Sequence, residues 1–266
     1  VKPTGFREYD ARWLFPDEIN LSGIQALGFG LGNVLFDLLG DEKQPRIVVG
    51  HDYRSYSQSI KIALTTGLMS AGVEVLDIGL ALSPTAYFAQ FHLDAPAVAM
   101  VTASHNENGW TGVKMGAARP LTFGPDEMSA LREAVLENTG IARAGGSYTR
   151  VDSVAQAYMD DLSTRAPFKR KLKAVVACGN GTAGAFAPQV LAKLGVDVVE
   201  LNCDLDYTFP NHNPNPEDMK MLHAMRDKVL ETGADIGFAF DGDGDRCGVV
   251  DNEGEEIFAD KMGVLV

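Results

Sequence analysis

Cysteine is scarce in the sequence, and its scarcity argues against disulfides and thiol-based metal or redox sites. The 266 residues include only three cysteines, an odd number with no Cys-x-x-Cys spacing. A disulfide framework or a Cys-x-x-Cys metal or redox motif needs more cysteines or closer spacing. We therefore expect Cys178, Cys203 and Cys247 to be reduced thiols in a cytoplasmic protein.

Positive charge is also limited. There are 23 lysine and arginine residues against 36 aspartate and glutamate residues, and the formal net charge is -13. A surface with this balance does not attract nucleic acid or an anionic membrane, so we predict neither as a partner. Binding of an anionic substrate would require positive charge concentrated at one place, from a few basic side chains or from a metal ion.

No hydrophobic run has the composition of a membrane span. The longest apolar stretch, Ile24 to Leu39, contains Asn33, Asp37 and several glycines. The first residues lead into a charged segment and do not predict a signal peptide. Within the apolar stretch, the glycines at 28, 30 and 32 do not fit a dinucleotide fingerprint, because no strand precedes them and the third is misplaced. We predict that they lie inside a helix.

Apolar segments with strand and helix patterns alternate along the chain. An apolar fraction of 45% supports folded cores. Regular alternation, repeated in the two halves, predicts two similar three-layer α/β domains with mixed, largely parallel sheets facing a shared cleft. A glycine-rich segment, 139–149, is predicted to be a linker. The predicted strands are 46–50, 73–78, 97–101, 172–177, 196–201 and 235–240, with a further hairpin of 247–250 and 255–259 around a turn at 251–254. The predicted helices are 57–71, 83–91, 125–137, 152–163, 183–194 and 217–231.

Chemically active side chains crowd the segment between Val101 and Lys114. Ser104, His105, two carboxamides and Lys114 follow a predicted buried strand. Ligands of parallel α/β sheets gather at the carboxyl ends of strands, so we predict a loop there that holds a small anionic group. The Gly-x-Ser-x-Gly elbow of hydrolases is absent. A lone serine is more often a cap or turn residue, so the interpretation of Ser104 depends on the rest of the chain.

Three carboxylates follow the last predicted strand at alternate positions. Asp241, Asp243 and Asp245 are separated only by glycines and can surround one hard cation, Mg²⁺ or Ca²⁺. An EF-hand loop does not fit, because its sixth and twelfth positions are Arg246 and Asn252 here. Mg²⁺ is favoured because it commonly binds carboxylates together with a phosphate oxygen. Arg246 is a candidate to neutralise a further phosphate oxygen.

The two motifs together favour phosphoryl transfer. A phosphoserine carries about -1.5 to -2 charges and needs a cation and donors such as Lys114. Positioning and metal bridging supply most of the catalysis in such reactions. We therefore interpret Ser104 as a phosphoryl carrier.

The motifs resemble the α-D-phosphohexomutase family, and within it the phosphomannomutase/phosphoglucomutase branch. They are Arg7-x-Tyr9-Asp10-x-Arg12, Thr102–Asn106 with Gly112 and Lys114, and Asp241–Arg246, in family order. The resemblance covers the whole chain and implies an isomerase, an intramolecular phosphotransferase acting on a hexose phosphate. Phosphorylated Ser104 passes its group to the sugar, the bisphosphorylated sugar turns around, and the other group returns to Ser104. An activating hexose 1,6-bisphosphate is implied as well.

The resemblance also implies roles for individual residues. It places Mg²⁺ on Ser104, Asp241, Asp243 and Asp245 and assigns proton transfer to His105 or Lys114. The implied lining residues are Tyr9, Arg12, His105, Lys114 and Arg246. Three positions depart from the family pattern without removing a catalytic group: Trp13 for glycine, Glu107 for proline and Thr111 for asparagine.

The family has four domains, and this implies the domain boundaries. Residues 1–146 would be the first domain with the phosphoserine loop, 147–250 the second with the metal loop, and 251–266 the start of a third. The missing part would supply the sugar-specificity and distal phosphate-binding loops, so we expect a truncated chain with little or no turnover. The sequence does not decide between mannose and glucose phosphates as substrates. Two other functions remain as alternatives: a phosphoglucosamine mutase, and a non-catalytic phosphosugar- or metal-binding protein on the same domains. No pattern predicts an oligomeric state.

Overall fold

The computed structural model describes residues 1–40, 44–164, 168–257 and 261, which form two compact units. The first unit comprises Val1–Ala103 and Asn108–Ala155, and the second comprises Ser104–Glu107 and Gln156–Val266. Residues 104–107 thus pack with the second unit, although their chain neighbours on both sides belong to the first. The boundaries predicted at 146/147 and 250/251 stay predictions, and much of 251–266 lies outside the described residues.

The two units contain the following regular elements. The strands are β1 (Ala11–Leu14), β2 (Arg46–His51), β3 (Glu74–Leu80), β4 (Ala97–Val101), β5 (Trp110–Gly116), β6 (Ser147–Arg150), β7 (Lys173–Ala177), β8 (Asp197–Leu201), β9 (Ile236–Phe240), β10 (Cys247–Asp251) and β11 (Glu256–Ile257). The α-helices are α1 (Leu21–Leu39), α2 (Ser57–Ser70), α3 (Ser83–His92), α4 (Pro125–Glu137), α5 (Val154–Leu162), α6 (Ala187–Lys193) and α7 (Met219–Thr232). Two short 3₁₀ turns lie at Pro3–Gly5 and Thr182–Ala185.

The first unit is a six-stranded sheet with helices on both faces. The strand order is β1-β5-β4-β2-β3-β6. The pairs β2/β3, β2/β4 and β3/β6 are parallel, whereas β5 runs antiparallel to both β4 and β1. On β2, Ile47 and Val49 enter the core formed with α1, α2 and α4, and Val48 enters the core formed with α3. Successive strand residues point to opposite faces, so an uninterrupted apolar strand requires helices on both.

The second unit repeats the central topology of the first. Its strand order is β11-β10-β9-β7-β8, with β7 parallel to β8 and β9, and β10 antiparallel to β9 and β11. The order β10-β9-β7-β8 matches β5-β4-β2-β3 of the first unit. Helix α7 buries Met221, Met225 and Val229 against this sheet. The prediction of two similar α/β domains with mixed sheets is confirmed.

Three strands were not predicted from the sequence. β1 lies in a segment that looks too polar for a core element, and β6 overlaps the predicted linker 139–149. β5 replaces half of the loop expected between Val101 and Lys114, so Lys114 lies on a strand opposite Met100. The predicted helix 183–194 is also interrupted, because it begins as a 3₁₀ turn and continues as α6.

The buried carboxylate of Asp77 explains why a linker segment becomes strand β6. Tyr148 and Arg150 of β6 donate to it at 2.9 and 3.2 Å, and Lys61 of α2 donates at 2.5 Å. Burial opposes ionisation of this carboxyl, but the hydrogen bonds from Lys61 and the Gly79 amide outweigh it and lower the pKa of Asp77. β6 therefore pairs with β3 because its polar side chains bind Asp77, although β6 has no apolar face to bury.

The glycines of α1 permit close packing against α2. A Cβ atom on Gly28 would lie 2.1 Å from the carbonyl oxygen of Leu64, and one on Gly67 would lie 2.0 Å from that of Gln25. The glycine run thus lies in a helix, as predicted. α1 is long and apolar enough to cross a membrane by length and composition, but 56% of its apolar window is buried inside the unit. A core helix accounts for both properties.

We expect Gly28→Ala to destabilise the first unit by about 2 kcal/mol, because a rigid backbone carbonyl occupies the position of the new methyl group. Both tryptophans, Trp13 and Trp110, lie in this unit, so the urea midpoint of their fluorescence reports its stability. Gly23→Ala is the control, since its nearest neighbours are side-chain atoms of Val1 and Ile19. Equal midpoints for the two variants would contradict the packing argument.

Candidate active site

The three aspartates predicted to bind metal come together after β9. One carboxylate oxygen of each of Asp241, Asp243 and Asp245 lies within 4.8 Å of the other two. Asp241 and Asp243 are fully buried, whereas Asp245 is exposed. Buried carboxylates this close repel each other unless a cation offsets their charge. The all-oxygen donor set fits a hard divalent cation, so the cluster could hold one metal ion.

Asp241 organises the backbone of this loop with one carboxylate oxygen. Its Oδ1 accepts the amides of Asp245 and Arg246 at 3.1 and 3.2 Å. The amide of Gly244 donates to the Asp241 carbonyl at 3.1 Å, with Gly244 at φ +70°. This left-handed position suits glycine, which has no Cβ to clash. The loop is tight, and Oδ2 of Asp241 points to a different partner.

That partner is Ser104. Its Oγ donates to Asp241 Oδ2 at 2.9 Å and lies 3.4 Å from His105 Nδ1. A Cβ atom on Gly242 would lie 2.4 Å from the Ser104 carbonyl oxygen, so only glycine permits this approach. Ser104 itself has φ +52°, a left-handed conformation that few non-glycine residues adopt. The serine and metal motifs, 137 positions apart, are therefore in direct contact.

Asp52, which no sequence pattern identified, supports the residues that precede Ser104. Its Oδ2 accepts from Thr102 Oγ1 at 2.9 Å, from the Ala103 amide at 3.3 Å and from Arg54 Nε at 3.1 Å. The side chains of Asp52 and Arg54 are 2% and 1% exposed, so this is a buried ion pair. Its position directly after β2, at the carboxyl end of a parallel strand, is the signal that could have identified it.

Arg12 supports the same short segment from β1. Its guanidinium is buried and donates through Nη1 to the Ala103 carbonyl at 2.5 Å and through Nε to Asp10 at 2.8 Å. Arg12 pairs with Gly112 of β5, where a Cβ atom would lie 2.3 Å from the Ala11 carbonyl oxygen. The Arg12 guanidinium thus holds the residue before Ser104, and its predicted role in the site stays a prediction.

The remaining predicted site residues have other surroundings. Tyr9 is 61% exposed, and a hydrogen bond with Glu8 raises the pKa of Tyr9. Arg246 pairs with Glu217 at 3.1 Å on the surface of the second unit. Lys114 lies on β5 in the first unit. The functional roles of these three residues stay predictions.

A reactive thiolate is disfavoured beside the metal loop, the candidate metal-binding residues Asp241–Asp245. Burial raises the pKa of Cys247 to about 11, so this thiol stays protonated at neutral pH. Cys178 and Cys203 are free, with their sulfur atoms 3.5 Å apart. The hydrogen bond with Cys203 and burial raise the pKa of Cys178. Ser104 is therefore a better candidate than Cys247 for the group that reacts next to the aspartates.

Two family models match most of the chain. They are described as phosphoglucomutase/phosphomannomutase, alpha/beta/alpha domain I, over residues 3–141, and the corresponding domain II, over residues 156–254. The first match ends before β6, and the second begins inside α5. The predicted resemblance to this branch of the phosphohexomutases is confirmed.

Individual relatives agree with the family models. A phosphomannomutase/phosphoglucomutase of Pseudomonas syringae is 36% identical over 98% of this chain and 55% of its own length. A phosphomannomutase of Salmonella montevideo is 37% identical over 96% of this chain and 56% of its own length. A solved structure of a family protein from Burkholderia thailandensis superposes with a TM-score of 0.90 at 32% identity, covering 98% of this chain and 57% of that one. The chain spans about half the length of the curated relatives it matches.

We expect Asp52→Asn to lower the free energy of unfolding of the first unit by about 3 kcal/mol, because it removes a carboxylate that pairs with the buried Arg54 guanidinium. The urea midpoint of tryptophan fluorescence measures this. Asp94→Asn is the matched control, since Asp94 pairs with Arg119 at 2.6 Å but is 83% exposed. A midpoint for Asp52→Asn as close to wild type as that of Asp94→Asn would contradict the role assigned to Asp52.

Proposed function

Because the chain belongs to the phosphoglucomutase/phosphomannomutase family, we propose that it moves a phosphoryl group between the 1- and 6-oxygens of a hexose phosphate, with Ser104 as the carrier. The observation that supports this most is the 2.9 Å hydrogen bond from Ser104 Oγ to Asp241 Oδ2 within the carboxylate cluster. A hydroxyl beside a candidate metal site is the arrangement that a phosphoserine carrier requires.

The charge balance of the site supports a bound Mg²⁺ in the phosphorylated state. Without a phosphoryl group, the Ser104 hydroxyl donates its hydrogen to Asp241. Phosphorylation removes that hydrogen and places about -1.5 to -2 charges beside three carboxylates. In this proposal Asp241, Asp243, Asp245 and an oxygen on Ser104 would hold Mg²⁺. When bound, the ion supplies the positive charge that stabilises the transferring phosphoryl oxygens.

Each transfer needs a proton carrier near Ser104. A sugar hydroxyl oxygen forms a bond to phosphorus and loses its proton, while the bond from phosphorus to Ser104 Oγ breaks and Oγ gains a proton. His105 Nδ1, 3.4 Å from Oγ, is positioned to exchange that proton, and Lys114 is the second candidate. Arg12, Tyr9 and Arg246 complete the proposed lining of the site. The bisphosphorylated sugar then returns its other phosphoryl group to Ser104.

The proposed substrates are mannose and glucose phosphates, since the Pseudomonas relative carries both names. A hexose 1,6-bisphosphate is the proposed activator, because it can phosphorylate Ser104 directly. We expect low turnover from these 266 residues by themselves, as they span 55% of that relative. Phosphorylation and metal binding therefore test the proposal better than turnover does. The acidic chain with its free thiols fits a cytoplasmic enzyme.

Incubation with glucose 1,6-bisphosphate and Mg²⁺ is expected to add one phosphoryl group to the wild-type chain and none to Ser104→Ala. Intact mass and peptide mapping measure the addition and its position. Thr102→Ser is the control, because it keeps a hydroxyl two residues away that can still donate to Asp52. Phosphorylation of another residue in Ser104→Ala would overturn the assignment of the carrier.

Asp243→Asn is expected to weaken binding of Mg²⁺ or Mn²⁺ by at least about tenfold, because one anionic oxygen is lost from a three-carboxylate site. Isothermal titration calorimetry measures the affinity. Asp227→Asn is the control, since Asp227 lies on the exposed side of α7 and pairs with Arg226. Equal metal affinities for the two variants would exclude the aspartate cluster as the metal site.

A further inference from the structure

A proline- and asparagine-rich segment, 211–216, contacts both loops of the candidate site and has no part in the proposed chemistry. Asn213 Nδ2 donates a hydrogen bond to the carbonyl oxygen of His105. Pro214 packs against Gly242, where a Cβ atom would lie 3.6 Å from its Cγ, and against Gly181, where one would lie 3.2 Å from its Cβ. These residues all belong to the second unit, together with Ser104–Glu107. The segment is therefore a support shared by the serine and metal loops.

The carboxamide of Asn213 is fixed in its orientation. Rotation by half a turn would place Oδ1 against the His105 carbonyl oxygen, and two acceptors repel each other. Among the described residues, Oδ1 has no hydrogen-bond partner although it is buried. A buried acceptor without a partner is unfavourable, so local stability does not explain this asparagine. Its one function visible in the described residues is donation to His105.

The backbone around Asn213 is also held firmly. The Asn213 carbonyl accepts the Asn215 amide at 2.8 Å and lies 3.0 Å from His212 Nδ1. Asn211 Nδ2 donates to Asn180 Oδ1 at 2.9 Å, and the Asn180 amide donates to the Asn202 carbonyl at 2.7 Å. A donor on such a backbone has little freedom to move. Asn213 can therefore restrain the backbone to which it donates.

Ser104 needs such a restraint. Its φ of +52° is unfavourable for a residue with a side chain, and such conformations persist only where the surroundings hold them. The Ser104 carbonyl abuts Gly242, and the next carbonyl, that of His105, is held by Asn213. Two successive carbonyl groups are thus held by the second unit. Release of the second would let Ser104 relax away from Asp241.

We infer that Asn213 is a positioning residue for the phosphoryl carrier. Its carboxamide restrains the His105 carbonyl, and the restrained backbone keeps Ser104 Oγ at 2.9 Å from Asp241. Asn213 acts through the backbone, because its carboxamide donates to the His105 carbonyl oxygen. The inference rests on the proposed function for its catalytic consequence, whereas the restraint itself is independent of it.

Asn213→Asp tests the inference, because it keeps the shape of the side chain and removes the donor. Asn215→Asp is the matched control, because it adds the same charge two residues away. It also keeps the Oδ1 acceptor, which in the wild-type chain accepts from the Glu217 amide at 3.1 Å. Asn213→Ala is the second variant, which removes the donor without adding charge. Three quantities are measured in each: hydrogen exchange of a peptide covering 103–108, Mn²⁺ affinity, and the rate of Ser104 phosphorylation by glucose 1,6-bisphosphate.

We expect both Asn213 variants to exchange faster over 103–108 and to be phosphorylated up to about 100-fold more slowly, since small displacements of reacting groups have effects of that size. Mn²⁺ affinity should stay within about twofold of wild type, because the aspartates are untouched. Asn215→Asp should match wild type in all three quantities. This separation of phosphorylation from metal affinity distinguishes positioning from a general structural role.

Two results would overturn the inference. One is unchanged exchange over 103–108 in both Asn213 variants, and the other is an equal loss of metal affinity and phosphorylation rate, which indicates general damage. Failure of the wild-type chain to be phosphorylated would count against the proposed function instead. In that case the exchange comparison between the Asn213 variants and Asn215→Asp still decides whether Asn213 restrains the serine loop.

Discussion

The left-handed backbone of Ser104 is the constraint on which the candidate site depends. An L-residue in this conformation costs about 1–2 kcal/mol, so neighbouring contacts must hold it there. Asp52 and Arg12 fix Thr102 and Ala103 within the first unit. Within the second unit, Gly242 meets the carbonyl of Ser104 itself. Thr102 and Ala103 are thus held by β1 and the end of β2 in the first unit, and Ser104 by the loop after β9 in the second.

Three glycines allow two backbone segments to approach closely, one in the second unit and two in the first. A Cβ atom on Gly242, Gly112 or Gly28 would lie 2.4, 2.3 or 2.1 Å from a backbone carbonyl oxygen. Such oxygens cannot rotate away as a side chain can, so these three positions tolerate little else. The first joins the serine and metal loops, the second joins β1 to β5, and the third joins α1 to α2. Close backbone packing at glycine therefore occurs both in the candidate site, at Gly242, and in the core of the first unit, at Gly112 and Gly28.

Sequence patterns predicted those features that depend on neighbouring residues. Strands such as β2 and β4 are buried on both faces and therefore appear as apolar runs, and the spacing of the three aspartates predicted the carboxylate cluster that could hold a metal ion. Features that depend on distant partners were missed. β6 pairs because of Asp77, and Asp52 becomes important because it accepts from Thr102, 50 positions away. Asn213 likewise acquires its meaning only from His105, 108 positions earlier.

The assignment of residues 104–107 to the second unit has a consequence for the order of folding. During synthesis, β4 and β5 of the first unit are complete long before the metal loop emerges, since Ser104 and Asp241 are 137 positions apart. Contacts between residues so far apart form late, because closing the intervening chain costs conformational entropy. The packing of each unit's core offsets that entropy first. We expect the contact between Ser104 and Asp241 to form last, when the second unit folds.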